Sequence, residues 1–189
     1  MKGIIINITE RFIIDNYGED VFNEIIASCN LETKEPFVAP GTYPDSDLFE
    51  IVVKGCKKLD LSVEEFLKKL GHYSFAQLAE RHPSFLESYT HPKAFLQTVD
   101  GVIHMEVRKL YQDSKLPAFQ YSDPGEDELI ITYYSERKLY PFLEGMINGV
   151  SDHFGVSISQ TNKVYQKDGV ELCDFYLKFA SWATTIEIL

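Results

Sequence analysis

Glu128-Leu129-Ile130-Ile131-Thr132-Tyr133-Tyr134 is a run of β-branched and aromatic residues, and it lies where the chain changes character. Such side chains fit a pleated, half-buried surface, so the segment reads as a strand. Just upstream, Asp123-Pro124-Gly125-Glu126-Asp127 reads as a turn, and Leu116-Pro117-Ala118-Phe119 leads into an earlier strand. Downstream, Tyr140–Phe154 reads as a helix ended by Gly155. Val156–Gln166 and Val170–Phe179 read as two more strands, joined by the hairpin signal Lys167-Asp168-Gly169.

Before Asp113 the chain is mainly helical. Ile4, Ile5, Ile8, Phe12 and Ile13 recur at helical spacing, and a second helix is predicted over Glu19–Ser28. Pro36, Pro40, Gly41 and Pro44 mark a loop at 35–45, after which Ser46 or Asp47 opens a helix to about Lys58. Ser62-Val63-Glu64-Glu65 is a capping-box pattern for a helix running to Arg81. A further helix, carrying His104, is predicted to start after Thr90 with Pro92 in its first turn, its apolar face carrying Phe95, Leu96, Val99, Val102, Ile103, Val107 and Leu110. The order is helices, two strands, one helix, two strands. That is an α+β fold: an N-terminal helical lobe over about 1–65, and a lobe over about 66–189 with a four-stranded antiparallel sheet and a helix.

The composition excludes several classes. A chain of 189 residues with 44% hydrophobic and 13% aromatic residues is globular. A net charge of −11, with no basic stripe, argues against nucleic acid. It favours solubility and can steer a basic partner. Cys29, Cys56 and Cys173 are widely spaced and odd in number, which fits reduced thiols in a cytoplasmic protein. The Met1-Lys2-Gly3-Ile4 start is not a signal peptide, and no run approaches the about 18 apolar residues of a membrane span.

Two segments carry chemistry. Val102-Ile103-His104-Met105-Glu106-Val107 puts a histidine in an apolar helical stretch. Gly101 lies on nearly the same side, where it would permit close approach of a flat ligand or of another helix. Tyr133, Ser135 and Arg137 recur at alternate positions, so an extended segment would present two hydroxyls and a guanidinium on one face. A neutral imidazole is an axial base for haem iron, and three converging donors form a clamp for the haem propionates. Each segment alone also fits a bland reading: a packed histidine, and the solvent face of a strand.

Together the two segments resemble the H-NOX family, the haem nitric oxide/oxygen-binding domains related to the haem region of soluble guanylate cyclase. Tyr133, Ser135 and Arg137 match its Tyr-x-Ser-x-Arg pattern, His104 its axial histidine. The resemblance runs from Met1-Lys2-Gly3-Ile4-Ile5 to the final hairpin. It implies haem b with ferrous iron, held between the two lobes on His104. It also implies that Ile5 and Pro117 press on the haem and bend it, and that Phe75, Leu78, Phe142 and Met146 line the distal side. Dioxygen-binding relatives carry a distal tyrosine at the position of Phe142. Phenylalanine offers no donor, and Tyr140, about 200° away around the helix, points elsewhere. Nitric oxide and carbon monoxide are therefore the expected ligands, without stable dioxygen binding.

Nitric oxide is expected to weaken the bond to His104, change the conformation and so regulate a separate signalling protein. Free-standing bacterial members imply a histidine kinase or a cyclic-di-GMP enzyme as partner. Some relatives hold zinc through several cysteines and a histidine; here Tyr140, Thr161 and Val164 stand at ligand positions and only Cys173 remains, so no zinc is expected. His72 is the rival iron ligand, with a sequence context that favours the surface. The alternatives are a haem-free adaptor of the same shape, a dioxygen-binding member, and a haem enzyme such as a peroxidase. An enzyme would want a distal acid–base group, and the expected distal residues are apolar.

Overall fold

The computed structural model describes residues 1–111 and 113–180. The helices α1 (Gly3–Tyr17), α2 (Glu19–Ser28), α3 (Asp45–Leu59) and α4 (Val63–Arg81) come first. A 3₁₀ turn (Pro83–Phe85), α5 (Pro92–Leu96), a π turn (Val99–Ile103) and α6 (His104–Leu110) follow. Then come β1 (Ala118–Gly125), β2 (Glu128–Tyr134), α7 (Tyr140–Phe154), β3 (Ile158–Lys167) and β4 (Val170–Phe179). The four strands form one antiparallel sheet in the order β1-β2-β4-β3, as the α+β reading anticipates.

Local signals act as the sequence dictates. The Ser62 hydroxyl accepts from the Glu65 N–H at 3.1 Å, and the Ser62 N–H donates back to Glu65 Oε2 at 2.9 Å. Two orphan donors of the first turn of α4 are thereby satisfied. Between paired Lys167 and Val170, Asp168 and Gly169 both take positive φ, 53° and 76°. That is the backbone twist a two-residue hairpin requires.

Three expectations are corrected. Residues 123–125 belong to β1, whose register shifts between Ser122 and Gly125, so only Glu126 and Asp127 turn the chain. The irregularity accommodates Pro124, which has no N–H for the ladder. Second, the single helix predicted to start after Thr90 and carry His104 is broken. The Thr98 N–H and hydroxyl both donate to the Phe95 carbonyl, at 3.0 and 2.7 Å, taking the acceptor an α-helical Val99 N–H would use. The ladder slips, and the Ile103 and His104 N–H groups reach back five residues to Thr98 and Val99. Third, Tyr133-Tyr134-Ser135-Glu136-Arg137 is not extended throughout. β2 ends at Tyr134, a turn follows, and Lys138 sits at φ 50°.

Two apolar cores flank one helix pair. Ile6, Ile8, Phe12, Ile51, Phe66 and Leu70 belong to the core of the helical lobe. Phe75, Phe95, Leu129, Ile131, Ile147 and Phe175 belong to the core beneath the sheet. α4 contributes to both. It meets α7 backbone to backbone: a methyl group on Gly71 would lie 2.0 Å from the Phe142 carbonyl oxygen, and one on Gly145 2.0 Å from that of Lys68. Only glycine permits this approach. By contrast a methyl group on Gly101 meets nothing within 4 Å, so that glycine serves no packing contact in the described residues.

Candidate functional site

His104 is the first residue of α6, directly after the π turn, with 13% of its side chain exposed. Its ring lies 5.3 Å from that of Phe119 on β1. Phe119 in turn lies 5.7 Å from Tyr133, which is 4% exposed at the end of β2. The antiparallel pairing of β1 with β2 sets Phe119 directly opposite Tyr133, so one aromatic ring separates the histidine from the first residue of the Tyr-x-Ser-x-Arg segment. Burial depresses the His104 pKa against the opposing pull of Asp100, favouring neutral imidazole. Nδ1 stands 3.4 Å from Asp100 Oδ1, and the Pro117 carbonyl is a further acceptor beside the ring.

Ser135 and Arg137 reach the same region from the turn, not from a strand face. The Ser135 hydroxyl accepts from the Arg137 N–H at 3.3 Å and interacts with the Tyr133 hydroxyl. Burial raises the Tyr133 pKa, the neighbouring hydroxyl and guanidinium opposing it, so the phenol keeps its proton. The Arg137 guanidinium already holds a carboxylate. Nε donates to Asp45 Oδ2 at 2.7 Å and Nη2 to Asp45 Oδ1 at 3.1 Å, and Nη1 donates to the Lys115 carbonyl. The Met1 ammonium lies 2.6 Å from Asp45 Oδ1. Burial alone would raise the Asp45 pKa, but the guanidinium and the ammonium outweigh it and hold the carboxyl below its ordinary value.

The remaining expected site residues straddle the two cores. Phe75 is buried with Phe95 beneath the sheet, the ring of the exposed His153 lies 5.9 Å from it, and Met146 packs against that core. Leu78, Phe142 and Ile5 pack against the helical-lobe core. Pro117 is half-buried just before β1. Tyr140 packs edge-on against Tyr133, 5.5 Å away, and its hydroxyl donates to Glu171 Oε1 at 2.9 Å. His72, the rival ligand, is half-exposed and 2.7 Å from Asp152 on α7. Two open clefts of about 340 and 360 Å³ include none of His104, Tyr133 or Phe142. No group of three metal-ligating side chains converges among the described residues.

The donor set suits haem. A largely buried neutral imidazole is the kind of base that haem iron takes, aromatic rings offer an apolar wall, and the Arg137 fork has the two-point geometry that binds carboxylates. Asp45, Asp100 and Phe119 escape the sequence reading. Asp100 was within reach, being one helical turn before His104; Asp45 is 92 positions from Arg137 and leaves no local trace.

Comparison with known proteins agrees with this chemistry. The haem-NO-binding family model matches residues 2–162. Soluble guanylate cyclase gcy-32 of Caenorhabditis elegans is 21% identical over 155 residues, 80% of this chain; the chain spans only 23% of that protein. The Fe(II) unliganded H-NOX protein from K. algicida superposes with a TM-score of 0.87 at 27% identity, over 96% of this chain and 97% of that one. An H-NOX protein from S. oneidensis in the Fe(II)NO ligation state gives 0.87 at 26%, over 96% and 100%. An oxygen-binding H-NOX domain related to soluble guanylate cyclases, in its oxygen complex, gives 0.83 at 25%, over 96% of each chain. With the match spanning most of its length, the chain belongs to the H-NOX family of haem-binding gas-sensor domains.

Proposed function

We propose that this chain is a nitric oxide sensor built on ferrous haem b, with His104 as the axial base. The observation that carries the reading is the His104–Phe119–Tyr133 row, partly buried at His104 and Phe119 and buried at Tyr133, which brings a neutral imidazole within one ring of the expected clamp. The haem would supply an iron that binds diatomic gases. Tyr133 and Ser135 would donate hydroxyl hydrogens to the propionates, and Arg137 would share its fork between them and Asp45. Ile5 and Pro117 would press on the porphyrin from opposite lobes. Phe75, Leu78, Phe142 and Met146 would line a distal side without a donor for dioxygen. A change in the tension on His104 would act on α6, and release of the contacts at Ile5 would let the helical lobe shift. Such a switch works only if the ligand binds the two arrangements with different affinity.

The output would pass to a separate signalling protein, such as a histidine kinase or a cyclic-di-GMP enzyme. The test is the visible spectrum of reduced protein under argon, then with nitric oxide, then in air. A Soret band that moves with nitric oxide, and no stable dioxygen complex, is expected. Protein that stays colourless and refuses added haem would favour the adaptor. His104→Gly should abolish the proximal bond; an unchanged spectrum would refute that assignment.

A further inference from the structure

The π turn that interrupts the helix carries Asp100 and delivers His104 at its end. Asp100 Oδ1 faces His104 Nδ1 at 3.4 Å, with 29% and 13% of the two side chains exposed. Asp100 is itself tethered: its N–H donates to the Tyr121 hydroxyl on β1 at 3.3 Å. The same Oδ1 lies 3.6 Å from Nη2 of Arg108, on the opposite side of His104 along the helix. Three charged or titratable groups thus stand in one row at i, i+4 and i+8.

A carboxylate can only accept a hydrogen bond. Facing Asp100, Nδ1 must carry the ring proton, which leaves the lone pair on Nε2. The Pro117 carbonyl is a second acceptor near the ring but carries no net charge. An anionic acceptor makes imidazole a stronger donor to a metal, and a cation sharing that acceptor weakens the effect. We infer that Asp100 positions His104, fixing its tautomer and strengthening it as an axial base, and that Arg108 moderates this by sharing the carboxylate. The inference rests on the haem reading of His104. It makes Asp100 a residue that sets how readily the proximal bond gives way, through the hydrogen bond and without touching the haem itself.

The experiment uses the full chain loaded with haem, read by the iron–histidine stretch in resonance Raman spectra and by the ferric/ferrous potential. Asp100→Ala should lower the stretch, raise the potential and speed transfer of haem to excess apomyoglobin by about tenfold. Asp100→Asn, which keeps the shape and an acceptor without charge, should fall between wild type and alanine. Arg108→Ala should move stretch and potential the other way, a sign that general loosening of the helix would not produce. Wild-type values in both Asp100 variants, with a histidine-ligated spectrum, overturn the inference and leave the haem reading intact. So does movement of Arg108→Ala in the same direction as Asp100→Ala. Wild-type protein that takes no haem, or a His104→Gly spectrum like wild type, defeats the haem reading instead and is seen before any Asp100 variant is made.

Discussion

Arg137 and Asp45 are joined by two hydrogen bonds, 2.7 and 3.1 Å, across 92 positions of sequence. The pair ties the turn after β2 to the first residue of α3, and the Met1 ammonium adds the start of α1 to the same carboxylate. Asp45→Asn should therefore destabilise the fold at pH 7, by about 1 kcal/mol, since a third of the Asp45 side chain remains in solvent and screens the pair. The sign of the pH dependence follows from a depressed folded pKa. The stabilisation is fully present above the unfolded carboxyl pKa, about 3.9, and is lost as pH falls through the lower folded value. Urea denaturation of both proteins between pH 7 and pH 3 should show the difference shrinking at the acid end; a gap that is constant with pH would remove the electrostatic account.

The α4–α7 contact predicts a contrast between two glycines. In Gly145→Ala the new methyl would sit 2.0 Å from the Lys68 carbonyl oxygen, and backbone cannot step aside as a side chain can. The helices must separate, costing about 3 kcal/mol. Gly101→Ala meets open space, and alanine restores up to about 1 kcal/mol of helix propensity. Thermal melts should put Gly101→Ala at or above wild type and Gly145→Ala far below it. Equal melting temperatures would mean that the two helices are not in backbone contact.

The parts of this architecture that were legible in sequence are those decided locally. Ser62 with Glu65, and Asp168 with Gly169, carry their whole physics within four residues; the cap behaves as read, and the hairpin turns at Asp168 and Gly169 with Lys167, read as part of the turn, paired in β3 instead. The strand Glu128–Tyr134 also stands where its residue types put it. What the pattern missed depends on competition or distance. Thr98 looks like one more helical residue until its hydroxyl takes the Phe95 carbonyl. Ser135 and Arg137 look like a continued strand until the backbone turns. Asp45 gave no sign of its partner, because an ion pair between distant segments leaves no periodicity.

Cys173 should be inert in the native state. It is fully buried on β4, and burial, with the Asp174 carboxylate adding to it, pushes its thiol up to about 11. The thiolate is the reactive form, and at pH 8 only about one in a thousand such groups is ionised. Cys29, half-buried at the end of α2, is the more accessible of the two. Iodoacetamide at pH 8, followed by peptide mass mapping, should label Cys29 first and Cys173 only after urea is added. Native labelling of Cys173 at the rate of Cys29 would show that the core beneath the sheet opens readily.

Two substitutions on α7 separate the roles of neighbouring positions. Tyr140 spends its hydroxyl on Glu171 and its ring on Tyr133, whereas Phe142 packs toward the helical-lobe core. Residues two apart on a helix differ by about 200° in direction, so only one of them can face a given side. If Phe142 faces the gas, Phe142→Tyr supplies the hydroxyl donor that the apolar side chains lack, and the reduced protein should hold dioxygen where wild type does not. Tyr140→Phe should leave the gas spectra unchanged and lose about 1 kcal/mol with its hydrogen bond to Glu171. A dioxygen complex lost or gained on changing Tyr140, with none appearing in Phe142→Tyr, would reverse the assignment of the two faces of α7.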